Sequence, residues 1–266
     1  MGDVGSVPAG WDAHVHVFDA QAPVLAGHYR PVHRALATIE ALAAEHGFGH
    51  LVLVQPSVYG TDNRVMERAL LASGGRHRGV AVVDAAVTDA ELDRLHAAGV
   101  RGVRFNLVSP VGNGPRDLPA LAPRLAARGW HVQWYARPRE LEAIARWHGP
   151  GAPVAVLDHL AGLHADLPAT DPAWESLRRL AGQGAWIKLS GWYRLGDAEP
   201  YGRLEAPLRR AAECFGERVV WGSDWPHTAF APEATPGYAS VWSPVVRVLG
   251  AEAAGRVARQ AERLYG

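Results

Sequence analysis

Short apolar runs recur along the chain, and most are separated by segments whose apolar residues repeat with the period of a helix. Residues 34–46 show this period, with Leu36, Ile39 and Ala43 on one face before Gly47. The apolar runs lie too far apart for hairpins, so their alternation with helices predicts βαβ units and parallel strands. The eight predicted strands span residues 11–17, 50–56, 79–84, 101–107, 130–136, 153–159, 185–190 and 218–224.

Several intervening segments also carry residues that start or stop helices. Thr88 and Glu91 have the spacing of a capping box, and Gly99 ends that predicted helix. Asp171 followed by Pro172 is a cap and first-turn pair. The remaining predicted helices span residues 62–73 (with Thr61 as N-cap), 117–128, 138–148, 172–182, 205–215 and 251–264.

Eight strands that alternate with helices predict an α/β fold, a (β/α)8 TIM-type barrel, as one domain over residues 1–266. An open doubly wound sheet is the alternative, but no glycine-rich dinucleotide loop follows the first strand. In a barrel, long loops after strand ends form the active-site face. The five long loops that follow predicted strands span residues 19–33, 107–116, 160–171, 191–204 and 226–244.

Two histidines stand two residues apart in the first strand. His14 and His16 therefore project from one face, as metal ligands or as a pair that handles protons. Alone, the pattern fits two histidines on a polar edge equally well. However, two more predicted strands end in residues of the same kind, His159 and Asp224. A parallel barrel gathers strand ends on one face, so the sequence predicts a shared site.

Charge and cysteine content limit the classes of binding partner and the cellular location. The formal net charge is zero, which argues against nucleic acid or an anionic membrane as a partner. Cys214 is the only cysteine, so no intrachain disulfide can form, and we expect a cytoplasmic protein. Residues 1–6 lack the features of a signal peptide, and no apolar run approaches the roughly 20 residues of a membrane span.

Further polar residues fall near strand ends, and each alone has an ordinary structural explanation. An arginine such as Arg104 commonly extends to solvent or pairs with a carboxylate. Lys188, the only lysine, could neutralise Asp224 or another interior acid. Together they favour a site, because charged groups at a barrel mouth need each other, water or a ligand.

Six motifs, in chain order, resemble those of the amidohydrolase superfamily and, within it, the amidohydrolase-related family around 2-pyrone-4,6-dicarboxylate lactonase. The resemblance covers nearly the whole chain. It implies a distorted (β/α)8 barrel, a hydrolase that often acts on a lactone in the catabolism of aromatic compounds, and catalysis that can proceed without a metal. The motifs are Asp12–His16, Gln55–Asn63, Arg101–Asn106, Leu157–His159, Lys188–Gly191 and Trp221–His227.

The resemblance implies a role for each residue that matches a motif. His14, His16 and His159 correspond to histidines that polarise the carbonyl, and Asp224 corresponds to the general base toward water. If a divalent ion is bound, these four residues are its ligands. The residues implied in substrate binding are Ser57, Tyr59, Arg104, Asn106, Tyr135, Arg194 and His227, with Ser57 and Tyr29 as the weaker matches.

The loop after His159 departs from the dicarboxylate lactonases, which have an arginine there that binds a carboxylate. This chain has Gly162 instead. We therefore expect a lactone with one carboxylate or none. We also expect Gly162→Arg to improve turnover of a dicarboxylate, if the loop there keeps its path. Residues 133–135 lack the strand-five histidine of metal-dependent members, which argues against a binuclear site.

Two other classes of function stay open at this level. One is a mononuclear metal-dependent enzyme, either a decarboxylase of an aromatic or enoic acid or an amide hydrolase; bound metal and released CO₂ would identify the decarboxylase. The other is a non-catalytic barrel that binds a small acid and has no need of Asp224 as a base. For the lactonase we expect either no cofactor or one Zn or Mn ion. Its expected partner is a small carboxylate-bearing lactone, and a homo-oligomer is possible at this level.

Overall fold

The computed structural model describes residues 7–26, 30–228, 230–231 and 234–266. Its centre is a sheet of eight parallel strands whose spatial order follows the chain. All eight predicted strands are confirmed. They are β1 (Gly10–Val15), β2 (Phe48–Val54), β3 (Arg78–Ala81), β4 (Val100–Asn106), β5 (His131–Tyr135), β6 (Ala155–Leu157), β7 (Trp186–Leu189) and β8 (Val219–Trp221).

The sheet closes on itself between β1 and the segment after β8. The amide of Asp224 donates to the carbonyl of His14 at 2.8 Å, and the amide of His16 donates to the carbonyl of Trp225 at 2.9 Å. These bonds bring the last ligand-type residue beside the first two. The β1–β2 register is irregular between Asp12 and Val15, and such irregularities re-aim side chains near active sites.

Helices cover the outside of this (β/α)8 barrel, and the predicted helical segments are confirmed within a few residues. The helices are α1 (Leu36–Glu45), α2 (Arg64–Ala72), α3 (Asp89–Ala98), α4 (Leu118–Ala126), α5 (Leu141–Trp147), α6 (Ala173–Gly182), α7 (Glu205–Phe215), α8 (Tyr238–Leu249), α9 (Ala251–Gln260) and α10 (Glu262–Tyr265).

Helix caps show where local chemistry decides a boundary. The Thr88 side chain accepts a bond from the amide of Glu91 at 3.1 Å, and Gly99 ends α3 with a φ of +108°, as predicted. The prediction of Thr61 as a cap was wrong. Helix α2 instead begins at Arg64, whose amide donates to the Asp62 carboxylate at 3.2 Å.

The predicted loop over residues 226–244 was also wrong in its second half, because α8 begins at Tyr238. Val241, Val245 and Val248 are buried on one face of that helix. Pro244 lies inside it, and a proline at such a position ordinarily indicates a helix break. Burial of the apolar face stabilises α8 despite the missing backbone donor.

Apolar residues fill two layers. The larger cluster lies between the strands and the helices, and a smaller one inside the barrel includes Val52, Val156 and Val220. Tyr265 of α10 joins the inner cluster. The apolar inner layer leaves the polar residues of the strand ends at the opposite mouth. Within the described residues, no helix is long and apolar enough to cross a membrane.

Candidate active site

The carboxyl ends of β1 and β8 bring His14, His16 and Asp224 together. Oδ1 of Asp224 lies 3.4 Å from Nε2 of His16 and 3.7 Å from Nε2 of His14. All three side chains are buried. Nε2 of His14 and Oδ1 of Asp224 have no hydrogen-bond partner among the described residues. Buried polar atoms without partners call for an explanation, and the closeness of these two makes them a candidate ligand site.

His159 joins this cluster from the end of β6. Its ring centroid lies 4.8 Å from that of His14, and its Nδ1 is 3.0 Å from the hydroxyl of Ser190. Gly191 makes room for it, because a Cβ there would lie 2.5 Å from Nδ1 of His159. Burial lowers the pKa of His159 to about 4, so the ring is neutral at pH 7.

Backbone strain is concentrated at these residues. Asp224, His159 and His227 have φ values of +61°, +49° and +60°, a region that side chains other than glycine rarely occupy. Leu160 and Ala161, which follow His159, share this conformation. Strain of this kind persists where the surrounding structure holds it, and it clusters at functional sites.

The second oxygen of Asp224 is held by two neighbouring residues of the loop after β7. Oδ2 accepts a bond from the hydroxyl of Tyr193 at 2.6 Å and from Nε of Arg194 at 2.8 Å. Burial raises the pKa of Asp224, but the charge of Arg194 and the nearby His159 outweigh it and hold the pKa well below its usual value. The carboxylate is therefore ionised, with Oδ1 free and Oδ2 fixed.

Asp158 is a second buried carboxylate, on the other side of His14 from Asp224. Nε of Arg104 and Nε2 of Gln133 each donate to its Oδ2 at 3.0 Å. Its Oδ1 lies 3.3 Å from Nδ1 of His14 and 3.5 Å from Nζ of Lys188. Lys188 thus neutralises Asp158 rather than Asp224. Burial raises the pKa of Asp158, but His14, Lys188 and Arg104 outweigh it and keep the carboxylate ionised.

Lys188 is fully buried inside the barrel. Its Nζ donates to the carbonyl of Ala13 at 2.9 Å and to Oε1 of Gln133 at 2.7 Å, and it lies 3.5 Å from Nδ1 of His14. Burial lowers the pKa of Lys188 to about 8, and Asp158 opposes that shift. Lys188 therefore connects the Asp158 cluster to His14.

A pocket of about 240 Å³ is lined by His16 of this cluster. Arg104 and Arg194 line it, and each is bound to a carboxylate through Nε alone. Their terminal nitrogens have no hydrogen-bond partner in the part of the chain that the structure describes. Two fixed guanidinium groups of this kind suit bidentate binding of an anion. The predicted residues that line this pocket are His16, Ser57, Arg104, Asn106, Tyr135 and Arg194.

Two described residues that were predicted to bind substrate, Tyr59 and His227, do not line this pocket. The Tyr59 hydroxyl exchanges bonds with the backbone of Asp19 at 3.0 Å, and its ring packs near Phe18. Nε2 of His227 bonds the carbonyl of Ser223 at 3.0 Å, while its ring contacts that of Tyr193. Tyr29 lies outside the described residues.

The surroundings of Gly162 argue against the condition for Gly162→Arg, that the loop keeps its path. Gly162 has a φ of +72°, and a Cβ there would lie 2.4 Å from the carbonyl oxygen of Ala136 and 3.1 Å from Cα of Arg137. An arginine cannot enter this corner without moving the backbone, so the substitution would strain the loop instead of adding a cation.

The donor set fits a single divalent ion. Four nitrogen or oxygen ligands at 2.0–2.1 Å in a tetrahedron lie roughly 3.3–3.4 Å apart, close to the spacing of Asp224 Oδ1 from His16 and His14. Nδ1 of His16 donates to the carbonyl of Val54 at 2.8 Å, so the lone pair of the neutral ring is on Nε2. His14, Asp158 and His159 form a second group of close ligand atoms.

Sequence reasoning missed two residues of the site, Asp158 and Tyr193. Asp158 lies inside a quoted motif, directly before His159, and its end-of-strand position was a usable signal. Tyr193 had a weaker one, since it lies in a loop beside Arg194. Both were missed because their partners are more than 20 residues away in sequence.

A closed parallel barrel with histidines and an ionised aspartate at its carboxyl-end mouth is the architecture of a barrel hydrolase. Residues 11–266 match the sequence profile of the amidohydrolase family. The chain belongs to the amidohydrolase family and is a hydrolase.

Comparison with known proteins refines the family. A 2-pyrone-4,6-dicarboxylate hydrolase of Comamonas testosteroni is 36% identical over 238 residues, which are 83% of this chain and 78% of that protein. A 4-sulfomuconolactone hydrolase of Rhizobium radiobacter is 30% identical over 246 residues, 87% of this chain and 81% of that protein.

A solved structure agrees with the barrel. It is a probable 2-pyrone-4,6-dicarboxylic acid hydrolase of Acinetobacter baumannii with citric acid bound. The two chains are 28% identical, and the superposition covers 97% of this chain and 99% of the other with a TM-score of 0.83. The fold is therefore shared along almost the entire chain.

Proposed function

We propose that this hydrolase opens a small lactone, or a related carboxylic ester, that carries one carboxylate. The observation that carries the proposal is an ionised Asp224 in contact with His16 and Arg194, two residues that line a small pocket together with Arg104. The two relatives described above, a 2-pyrone-4,6-dicarboxylate hydrolase and a 4-sulfomuconolactone hydrolase, support the lactone part of the proposal. We also propose a role in the catabolism of aromatic compounds.

In the proposed reaction, Oδ1 of Asp224 takes a proton from water as the water oxygen attacks the lactone carbonyl carbon. The tetrahedral intermediate then breaks the ring C–O bond, and the protonated Asp224 returns its proton to the departing ring oxygen. One lactone and one water give one hydroxy acid. Tyr193 and Arg194 hold Asp224 in place through Oδ2 during both transfers.

The histidines supply the environment of the carbonyl oxygen. In the metal-free reaction, Lys188 donates to Nδ1 of His14, so Nε2 of the neutral ring carries the proton that polarises the carbonyl. In the other tautomer Nδ1 donates to Asp158, and Nε2 presents a lone pair. The tautomer of His14 thus distinguishes the two forms of the reaction.

In the second form, Nε2 of His14, Nε2 of His16 and Oδ1 of Asp224 would hold one Zn or Mn ion, with His159 close by. When bound, the ion would lower the pKa of a water and polarise the carbonyl. The other residues have the same roles as in the metal-free form: Arg104 and Arg194 orient the substrate anion, and Asp158 orients His14.

Substrate hydrolysis before and after chelation tests the proposal. The purified enzyme is assayed by pH-stat against a carboxylated lactone, its dicarboxylate counterpart and a matched amide, with CO₂ release monitored. We expect the monocarboxylate lactone to be hydrolysed with the highest kcat/KM. The proposal fails if the amide is the better substrate or if CO₂ is the product. A tenfold preference for the dicarboxylate would refute the single carboxylate.

Chelator-treated enzyme, with metal content measured separately, decides between the two forms. Retained activity supports the metal-free form, whereas activity restored by Zn or Mn supports the metal-dependent form.

We also propose that the enzyme is located in the cytoplasm, because Cys214 is a free, half-buried thiol and the sequence offers it no disulfide partner.

A further inference from the structure

A second cavity of about 620 Å³ adjoins the catalytic pocket, and both are lined by Tyr135 and Arg194. It lies over the segment after β5, the loop after β6 and the start of α6. A ligand that reaches past these two shared side chains would pass from one cavity into the other. We call the larger cavity the side groove.

The catalytic pocket alone is smaller than most ligand-binding sites. Sites for drug-sized ligands are roughly 300–1,000 Å³, and the pocket of about 240 Å³ lies below that range. A lactone ring with one carboxylate needs no more than this pocket. The side groove, at about 620 Å³, lies inside the range and is left for another part of the ligand.

Aliphatic side chains form part of the walls of the side groove. They include Val108, Ala136, Leu167 and Leu195, with Pro138 at the turn after β5. The groove is open to solvent, so its apolar surface would be covered when a ligand binds.

The charged residues of the groove are largely compensated. Arg137 donates to the carbonyls of Leu107 and Val108 at 3.3 and 3.2 Å, and Glu142 pairs with Arg146. Asp171 accepts a bond from the amide of Ala173 at 2.8 Å. Arg139 is exposed and lies 3.7 Å from the Glu140 carboxylate, while Arg194 is shared with the catalytic pocket, where its Nε is bound to Asp224. The groove therefore favours an apolar group over a second anion.

We propose that the side groove binds an apolar alkyl or aryl substituent of the substrate, while the lactone ring and its carboxylate occupy the catalytic pocket. The proposal rests on the proposed lactone hydrolysis and adds the class of lactone to it. Each methylene buried in such a groove raises kcat/KM by roughly fourfold.

Two lactones with the same ring and carboxylate test it, one unsubstituted and one with a butyl or phenyl group. We expect wild-type kcat/KM to be at least tenfold higher for the substituted lactone. Equal values would overturn the groove proposal and leave the lactonase proposal standing. If neither lactone is hydrolysed, both proposals fall.

A blocking variant connects the effect to the groove. Ser176 lines the groove from α6, whereas Glu175, its neighbour in the same helix, is exposed and does not line it. Ser176→Trp should remove the advantage of the substituted lactone and retain kcat/KM for the unsubstituted one. Glu175→Trp, the matched control, should change neither. Equal losses on both lactones in Ser176→Trp, with an unchanged melting curve, would contradict the proposal.

A second variant covers the case in which Ser176→Trp does not fold. Leu167→Gln keeps the size of a half-buried groove residue but makes it polar. We expect it to lower kcat/KM for the substituted lactone by roughly threefold to tenfold and to spare the unsubstituted one. No selective loss in this variant would again count against an apolar substituent.

Discussion

Two buried aspartates at the mouth of the barrel show how surroundings divide the work of one residue type. Asp158 is surrounded by Arg104, Lys188, Gln133 and His14, so both of its oxygens face donors. Asp224 has donors on Oδ2, while its Oδ1 faces His14 and His16 without a hydrogen bond. Both are ionised, and Oδ1 of neither makes a hydrogen bond among the described residues. Oδ1 of Asp158 lies close to Nδ1 of His14 and Nζ of Lys188, whereas Oδ1 of Asp224 lies beside His16, which lines the pocket.

The comparison implies that Asp224 acts in chemistry and Asp158 in structure and orientation. A buried ion pair stabilises little in net terms, but loss of one partner leaves a buried charge unpaired. Substitutions in the two clusters should therefore separate activity from stability. The predictions below follow that separation from the largest expected effect to the smallest.

Asp224→Asn keeps the shape of the side chain and removes the base. We expect kcat to fall by about 10²–10⁴-fold with the fold retained. Steady-state kinetics and a thermal melt by circular dichroism measure the two quantities. Near-full turnover in this variant would place the base elsewhere and break the comparison.

Lys188→Met leaves Asp158 without its lysine while filling the same space. We expect the free energy of unfolding to fall by about 3–5 kcal/mol, because the remaining carboxylate is buried and only partly compensated. Urea titration measures the loss. Arg263→Met, which removes an exposed pair with Glu217, is the control and should cost about 0–1 kcal/mol. Equal losses would show that Lys188 is not needed for Asp158.

Acid should destabilise the site through its buried histidines. The pKa of His159 is about 4 in the folded chain and about 6.5 when unfolded, so the unfolded state binds more protons between these values. Stability is thus fully present above pH 6.5 and is lost as the pH falls toward 4, by about 3 kcal/mol for this group. Urea titrations at pH 7 and 4.5 should show a smaller difference in His159→Gln than in wild type. The same difference in both would exclude His159 as the source.

Tyr193→Phe removes one donor from Oδ2 of Asp224 and leaves Arg194. We expect a loss of about 10–100-fold in kcat, as hydrogen bonds to charged groups contribute about 1.5–3 kcal/mol. The KM should change less, because the hydroxyl is bound to Asp224. A change confined to KM would indicate that Tyr193 contacts the substrate instead.

Much of the fold could be predicted because its signals are local. Apolar runs, the cap at Thr88 and the stop at Gly99 each depend on a few neighbouring residues. Helix α8 escaped prediction because Pro244 suggests a break, and only tertiary burial of Val241, Val245 and Val248 compensates for it.

The candidate site was predictable where strand ends carry recognisable residues, as at His14, His16, His159 and Asp224. The ion pairs were not, since the partners of Asp158 come from β1, β4, β5 and β7. Tyr59 and Ser57 are two residues apart in sequence, yet only Ser57 lines the pocket. That choice depends on a short turn rather than on residue type.

Because Lys188 is the only lysine and is fully buried, the folded barrel offers amine-directed reagents no lysine side chain. Opening of the barrel would expose that single ε-amine. Acylation at Lys188, followed by peptide mass spectrometry, would therefore measure the fraction of chains whose barrel has opened. The rate at which Lys188 is acylated would in this way report the rate at which the barrel opens.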